Sequence, residues 1–257
     1  MISVYPPYQT ATYQQCPMLW DLGKRWKERE GVPTTARLIG TAVAAGLEAH
    51  FKGSESPQDA LTAVVEFQYQ EGSDRSIEEV VTLSLKGLVL GQKTHFGHKS
   101  VLAVEQPFAR CRPDLVLRMP DGSVAPVDHK VKINLDPRYF SNECRAYNTD
   151  TQMMHYSMAV GESYGQHVGV VLVHLIILGP RPKTIVHPVK ISPERLDYWR
   201  SGAERAWQEM HSIEYNGARV VPNFTSCITK YGPCAYYEGC HNLDGDGSRF
   251  GAIYDAI

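Results

Sequence analysis

The sequence predicts an α/β fold: a central mixed β-sheet flanked by helices, with an N-terminal helical region and a C-terminal cysteine loop. Three observations carry this expectation. The segment RPDLVLRMPDGSVAPVDHK at 112–130 holds two short apolar runs on either side of Asp121-Gly122, a strong hairpin signal. The run VGVVLVHLIIL at 168–178 has no polar alternation and reads as a strand buried on both faces. Around these lie stretches whose apolar residues recur at helical spacing.

In chain order, a first helix is expected over 10–27, amphipathic through Tyr13, Cys16, Leu19, Trp20 and Trp26. Helices follow at 34–52, 57–70 and 76–96, the last with Ile77, Val80, Val81, Leu85 and Leu88 recurring at helical spacing. Strands are expected at 100–106, 112–118 and 123–130. The next helix carries Met153, Met154, Tyr156, Ser157 and Val160 at helical spacing, with Thr149 or Asp150 as its cap. Strands at 167–178 and 184–190 precede a helix at 193–213, capped by Ser192 with Pro193 in its first position. After Gly217 periodicity is lost. The expected segmentation is a helical region at 1–99, a sheet core at 100–215 and a cysteine tail at 216–257, together one compact unit.

The hairpin carries chemistry as well as architecture. Asp114 opens its first strand and Asp128 closes its second. Side chains alternate along a strand, so Asp128 and Lys130 share one face while His129 points to the other. Two carboxylates beside one lysine suit a metal-dependent phosphodiesterase. The acids bind a hard divalent cation, and the lysine steadies an attacking hydroxide or the charge that develops on phosphorus. The same residue types also occur in hairpins as solvated surface charge. Downstream, Gln152 and Tyr156 stand four apart and share one helix face.

These residues resemble the PD-(D/E)XK nuclease superfamily, with Pro113-Asp114 as the first half-motif and Asp128-His129-Lys130 as the second. Gln152 and Tyr156 look like the Q-x-x-x-Y motif of its RecB-like branch. The resemblance implies a restriction-endonuclease-like core and a Mg2+- or Mn2+-dependent DNA nuclease, of exonuclease type, acting on single strands or duplex ends. It implies metal ligation by Asp114, by Asp128 and by the backbone carbonyl of His129. Lys130 would activate or orient the water, and Gln152 and Tyr156 would position the strand. Glu105 sits where the family often places a further glutamate, and pairing with Arg112 is the other reading of it. One departure is plain. The branch usually carries G-x-x-x-H-x-x-x-E, and here Gly40 and Glu48 are present while Ala44 stands in the histidine position. His50 is no substitute, lying six residues and roughly 240° farther round the helix.

Cys16, followed by a proline, and Cys227, Cys234 and Cys240, in a C-x6-C-x5-C cluster, resemble the iron–sulfur nucleases of the superfamily, among them AddB-type helicase–nuclease subunits and CRISPR-associated exonucleases. That resemblance implies a 4Fe–4S cluster held by those four thiolates. The family usually shows C-x2-C-x5-C, so only the second spacing matches. Zinc also accepts four thiolates, and buried structural cysteines are a further reading, especially for Cys111 and Cys144.

Composition sets bounds. With 26 Lys and Arg against 28 Asp and Glu the net charge is −2, which excludes wholesale coating of nucleic acid but not a local basic groove. Lys24, Arg25, Lys27 and Arg29, with Lys132, Arg138 and Arg145, are candidates for such a groove. No apolar run approaches the ~18 residues needed to span a bilayer, and the opening MISVYPPYQTATYQQC lacks a secretory pattern. A cytoplasmic protein with no membrane partner is expected, without disulfides. No G-x-x-x-x-G-K-[ST] or H-E-x-x-H motif is present. DNA is the expected partner, with recombination, replication or CRISPR proteins around it. Ala44 keeps open a second class, a nuclease-like module that binds DNA or protein without turnover. A zinc-stabilised structural protein is a third.

Overall fold

The computed structural model of the chain describes residues 5–25, 34–71, 73–94, 96, 100–218, 220, 223–229 and 232–233. Where one N-terminal helix is expected there are two, α1 (Pro7–Gln15) and α2 (Pro17–Arg25). The break falls at Cys16, whose backbone is extended at φ −160°, ψ 115°. The ring of Pro17 disfavours helical geometry in the residue before it, yet suits the first position of a new helix. Next come α3 (Thr35–Phe51), α4 (Pro57–Gln68) and α5 (Ile77–Gln92). Thr34 and Ser76 cap α3 and α5, their hydroxyls accepting from the N–H groups of Arg37 and Glu79 at 3.3 Å.

Five strands form one mixed sheet in chain order: β1 (Val101–Val104), β2 (Leu115–Arg118), β3 (Val124–Ile133), β4 (Val170–Leu178) and β5 (Lys183–Lys190). All neighbours are antiparallel except β3 and β4, which are parallel. Gly122 turns the β2–β3 hairpin at φ +85°, a conformation that glycine adopts without steric cost. β3 runs three residues beyond the expected end. Its parallel pairing with β4 continues to Ile133↔Leu178, and Val131 and Ile133 pack into the core.

Between β3 and β4 lie α6 (Phe140–Asn148) and α7 (Thr151–Tyr164). Only α7 is expected from the sequence. α6 offers just Phe140, Cys144 and Tyr147 as an apolar stripe amid polar residues. The parallel step from β3 to β4 requires such a crossover. Last come α8 (Pro193–Asn216) and a two-stranded ribbon of β6 (Ile228–Thr229) and β7 (Gly232–Pro233).

The two faces of the sheet differ. One carries Val131, Ile133, Ile176 and Leu178 against Leu38, Ile39, Val43 and Leu47 of α3 and Leu88 of α5. Gly87 lets α5 close on α3, since a Cβ there would stand 2.6 Å from Val43 Cγ2. The opposite face carries Asp128 and Lys130 toward α7, whose residues from Met153 to Gly161 are all buried.

The chain divides into two compact units, one built from residues 3–29 with 201–257 and the other from 30–200. In the first, α1 is tied to the later turns of α8. Trp207 Nε1 donates to Thr10 Oγ1 at 2.9 Å, and Tyr13 and Tyr5 donate to Glu209 and Glu214 at 2.8 Å. The sheet lies wholly in the second. Among the described residues no helix is long and apolar enough to cross a membrane.

Candidate active site

The site begins where β2 fails to continue. The last β2–β3 pair is Leu115↔Val127. Beyond it, the side chain of Asp114 replaces a backbone partner, its Oδ2 accepting the N–H of His129. Within a strand the N–H and C=O of one residue project to the same edge. The carbonyl of His129 therefore points toward the Asp114 side. Asp128 and Lys130 pair with β4 at Val173 and Leu175 and present their side chains to α7.

Four side chains close a ring on that face. Lys130 Nζ lies 2.8 Å from Asp128 Oδ2 and donates to Gln152 Oε1 at 3.0 Å. Gln152 Nε2 donates to Tyr156 Oη at 2.7 Å, and Tyr156 Oη reaches back to Asp128 Oδ1 at 3.3 Å. Asp150, the cap of α7, accepts the N–H of Gln152 at 2.7 Å and so fixes the first turn that carries the amide. The spacing that puts Gln152 and Tyr156 on one face thus delivers both to the Asp-Lys strand.

The electrostatics follow from burial. Asp128 is 3% exposed, and desolvation raises its carboxyl above the usual range against the opposing pull of Lys130. Asp114 is pushed well above the usual range, first by burial and then by the charge of Asp128. Burial also raises Glu105, opposed by a hydrogen bond with Asp114 and by Arg112. For Lys130 burial works against the ammonium and is the largest single influence, but the charge and hydrogen bond of Asp128, with the charges of Asp114 and Asp150, together outweigh it and hold the lysine above its ordinary value. Lys130 is therefore a fixed positive charge.

The donor set fits a hard divalent cation. Among the described residues no three His, Cys, Asp or Glu side chains converge as a metal site by themselves. Two crowded carboxylates and a strand-edge carbonyl nevertheless supply the oxygen ligands such an ion takes, with water completing its shell. Gly40, Ala44 and Glu48 lie along one face of α3. Glu48 is paired with Lys52, and both lie within electrostatic reach of Glu105. Ala44 has no side chain to offer a metal.

Glu105 pairs with Arg112 at 2.7 Å, one of the two readings of it, and interacts with Asp114. Its backbone sits in the left-handed region at φ 50°, an unusual conformation for a glutamate. Behind the strand, His129 Nδ1 meets His174 Nδ1 at 2.9 Å, and His174 Nε2 meets Thr94 Oγ1 at 2.8 Å. Both imidazoles are held neutral, His129 well below its ordinary pKa by burial and by His174, and His174 at about 4 by burial. Parallel register places these two histidines side by side, and nothing in the spacing 129 to 174 announces it.

In the other unit, Cys16 and Cys227 are buried beside one turn. The N–H of Asn223 donates to Cys16 Sγ at 3.4 Å, and Cys227 Sγ donates to the carbonyl of Asn223 at 3.9 Å. Cys234 and Cys240 lie outside the described residues. Cys111 instead closes a turn on Phe108, and Cys144 is on α6. Of the expected groove cations, Lys27 and Arg29 are outside the described residues, as are the side chains of Lys24 and Arg25. Lys132 pairs with Glu143, Arg138 pairs with Asp136, and Arg145 is exposed on α6.

The family model described as the PD-(D/E)XK nuclease superfamily matches residues 6–241. The chain belongs to that superfamily, and its mixed sheet flanked by helices is the restriction-endonuclease-like arrangement expected of it. Comparison with curated proteins gives no match. Among solved structures, the chain is similar to a crystal structure of a protein from Eubacterium rectale provisionally described as an exonuclease. The identity is 13%, the match covers 92% of this chain and 88% of that one, and the TM-score is 0.49.

Proposed function

We propose that this nuclease-superfamily chain is a Mg2+- or Mn2+-dependent deoxyribonuclease of exonuclease type that also carries a structural 4Fe–4S cluster. The observation that carries the catalytic half is the closed ring of Asp128, Lys130, Gln152 and Tyr156 beside Asp114. Asp114, Asp128 and the carbonyl of His129 would hold the cation, which when bound supplies Lewis-acid stabilisation and a more acidic water. Lys130, fixed as an ammonium, offers its charge to the phosphoryl oxygens or orients the attacking water. The Gln152 amide and Tyr156 phenol hold the lysine and Asp128 in place and face the strand to be cut.

Cys16, Cys227, Cys234 and Cys240 are the proposed cluster ligands, with zinc as the competing occupant. A reducing cytoplasm would keep such thiols available. The proposed substrates are single strands or duplex ends of DNA, met in the company of recombination, replication or CRISPR proteins. Mn2+-dependent loss of label from end-labelled single- and double-stranded DNA tests the enzyme. Iron analysis with a visible spectrum separates cluster from zinc.

Ala44 favours one other reading, a disarmed nuclease that binds DNA or a protein without cutting. Gly40 and Glu48 still frame the missing position, so Ala44→His is the deciding variant. A silent parent made active by Ala44→His would establish the disarmed form. Cutting by the parent would exclude it.

A further inference from the structure

We propose that Tyr139, with Arg138 and Lys183, forms a single-strand platform past the C-terminal end of β3, where one base stacks on the tyrosine and its phosphates meet the cations. The proposal rests on reading the ring as a phosphodiesterase centre and adds to it a surface where the unpaired strand would be held.

The position follows from register. Lys132 continues the Asp128–Lys130 face and pairs with Glu143 of α6 at 2.5 Å. One turn further along α6, Tyr147 donates to Glu143 at 2.9 Å and lies within the field of Asp128. The C-terminal turn of α6 is therefore nearest the ring, and its N-terminal turn lies beyond Lys132. Across the sheet Lys132 pairs with Ile177, and Ile177 with Lys183, in one row. Lys183 Nζ sits 4.7 Å over the ring of Phe140, the first residue of α6. Lys130 and Ile133 are about 10 Å apart along the strand, so a chain seated on both ring and platform would span only a few nucleotides.

The chemistry is that of a stacking surface. Tyr139 keeps 59% of its surface exposed, and the guanidinium carbon of Arg138 lies 6.0 Å from its ring centre. Arg181 is exposed on the β4–β5 turn, and Asn134 N donates to Leu178 O at 2.7 Å, joining the end of β3 to the start of that turn. Two acids face this patch. Asp136 is paired with Arg138 and Glu143 with Lys132, while Lys183 and Arg181 have no carboxylate partner among the described residues. An exposed aromatic ring among surplus cations stacks any base and attracts any phosphate. In a duplex the base faces are covered by their neighbours, so such a platform selects unpaired strands or frayed ends.

The test is fluorescence anisotropy with the full chain in EDTA, using labelled oligo(dT) and a blunt duplex. Tyr139→Ala should weaken oligo(dT) binding at least about fivefold, the lower end of what one stacked base contributes. Tyr139→Phe should retain the parental affinity, and the duplex should bind all three proteins alike. Lys183→Ala should reduce the slope of log affinity against log salt by about 0.7. The platform is overturned if Tyr139→Ala binds oligo(dT) as the parent does, if it loses both ligands equally, or if the parent does not bind oligo(dT). Mn2+-dependent cutting is scored separately. A parent that cuts while Tyr139→Ala binds normally sinks the platform alone, and Tyr139-dependent binding without cutting sinks the catalytic reading alone.

Discussion

Replacing Tyr156 by phenylalanine removes the most shared atom of the ring. Its oxygen accepts from Gln152 at 2.7 Å and lies 3.3 Å from both Asp128 Oδ1 and the carbonyl of Arg112. A phenol has one proton, so it serves those two acceptors in turn. The amide bond contributes about 1 kcal/mol, and the long contact to a carboxylate about as much again, for a loss of about 2 kcal/mol. Gln152 is half-buried and can turn to water, which keeps the figure from rising further. In a chain of this size that lowers the Tm by about 4–8 °C, measurable by calorimetry on the full protein. The phenol also holds the Asp128 carboxyl down. Without it that pKa rises, and the acid limb of any metal-dependent cutting moves to higher pH. A Tm within about 1 °C of the parent, with an unmoved acid limb, would refute the ring as described.

Other predictions follow from the same contacts. Burial and Asp128 raise the folded-state pKa of Asp114, so the unfolded chain releases this proton first. The metal-free protein therefore loses stability as pH climbs from the ordinary carboxylate value of about 3.9 through the folded value. Asp114→Asn keeps an acceptor for the N–H of His129, and in EDTA it should melt above the parent at neutral pH. It should also lose the rise in Tm that Mn2+ gives the parent, and a parent indifferent to both pH and Mn2+ would contradict this. In the core, Gly87→Ala forces a Cβ to 2.6 Å from Val43 and should cost about 1–3 kcal/mol in urea unfolding. Gly40→Ala, with nothing within 4 Å of the new carbon, should instead gain up to about 1 kcal/mol. Cys16→Ser should abolish bound iron while Cys111→Ser leaves it unchanged, as read by iron content per chain; equal iron in both would remove Cys16 from the ligand set.

The sequence was most readable where one residue dictates local geometry. Asp121-Gly122 announces the hairpin, Asp150 and Ser192 announce their helices, and the alternation through Asp128, His129 and Lys130 fixes which side chain faces α7. The misreadings have physical causes. Continuous apolar spacing through Cys16 suggests one helix, but Pro17 breaks it because the constraint acts on the residue before the ring. The sparse stripe of α6 is masked by its polar neighbours, so periodicity shows little of it. At the site, Asp114, Asp128, Lys130, Gln152 and Tyr156 could be proposed because each sits at a motif spacing. The left-handed backbone of Glu105 and the contact between His129 and His174 depend on long-range register, which a single sequence does not display.

The central claim is that the ring around Lys130 cuts phosphodiester bonds. Its most direct test is the rate at which the parent and Lys130→Ala degrade end-labelled single-stranded DNA with Mn2+. Loss of a preorganised charge of this kind predicts a fall of about 100- to 1000-fold with the fold retained. Equal rates for the two proteins would contradict the account.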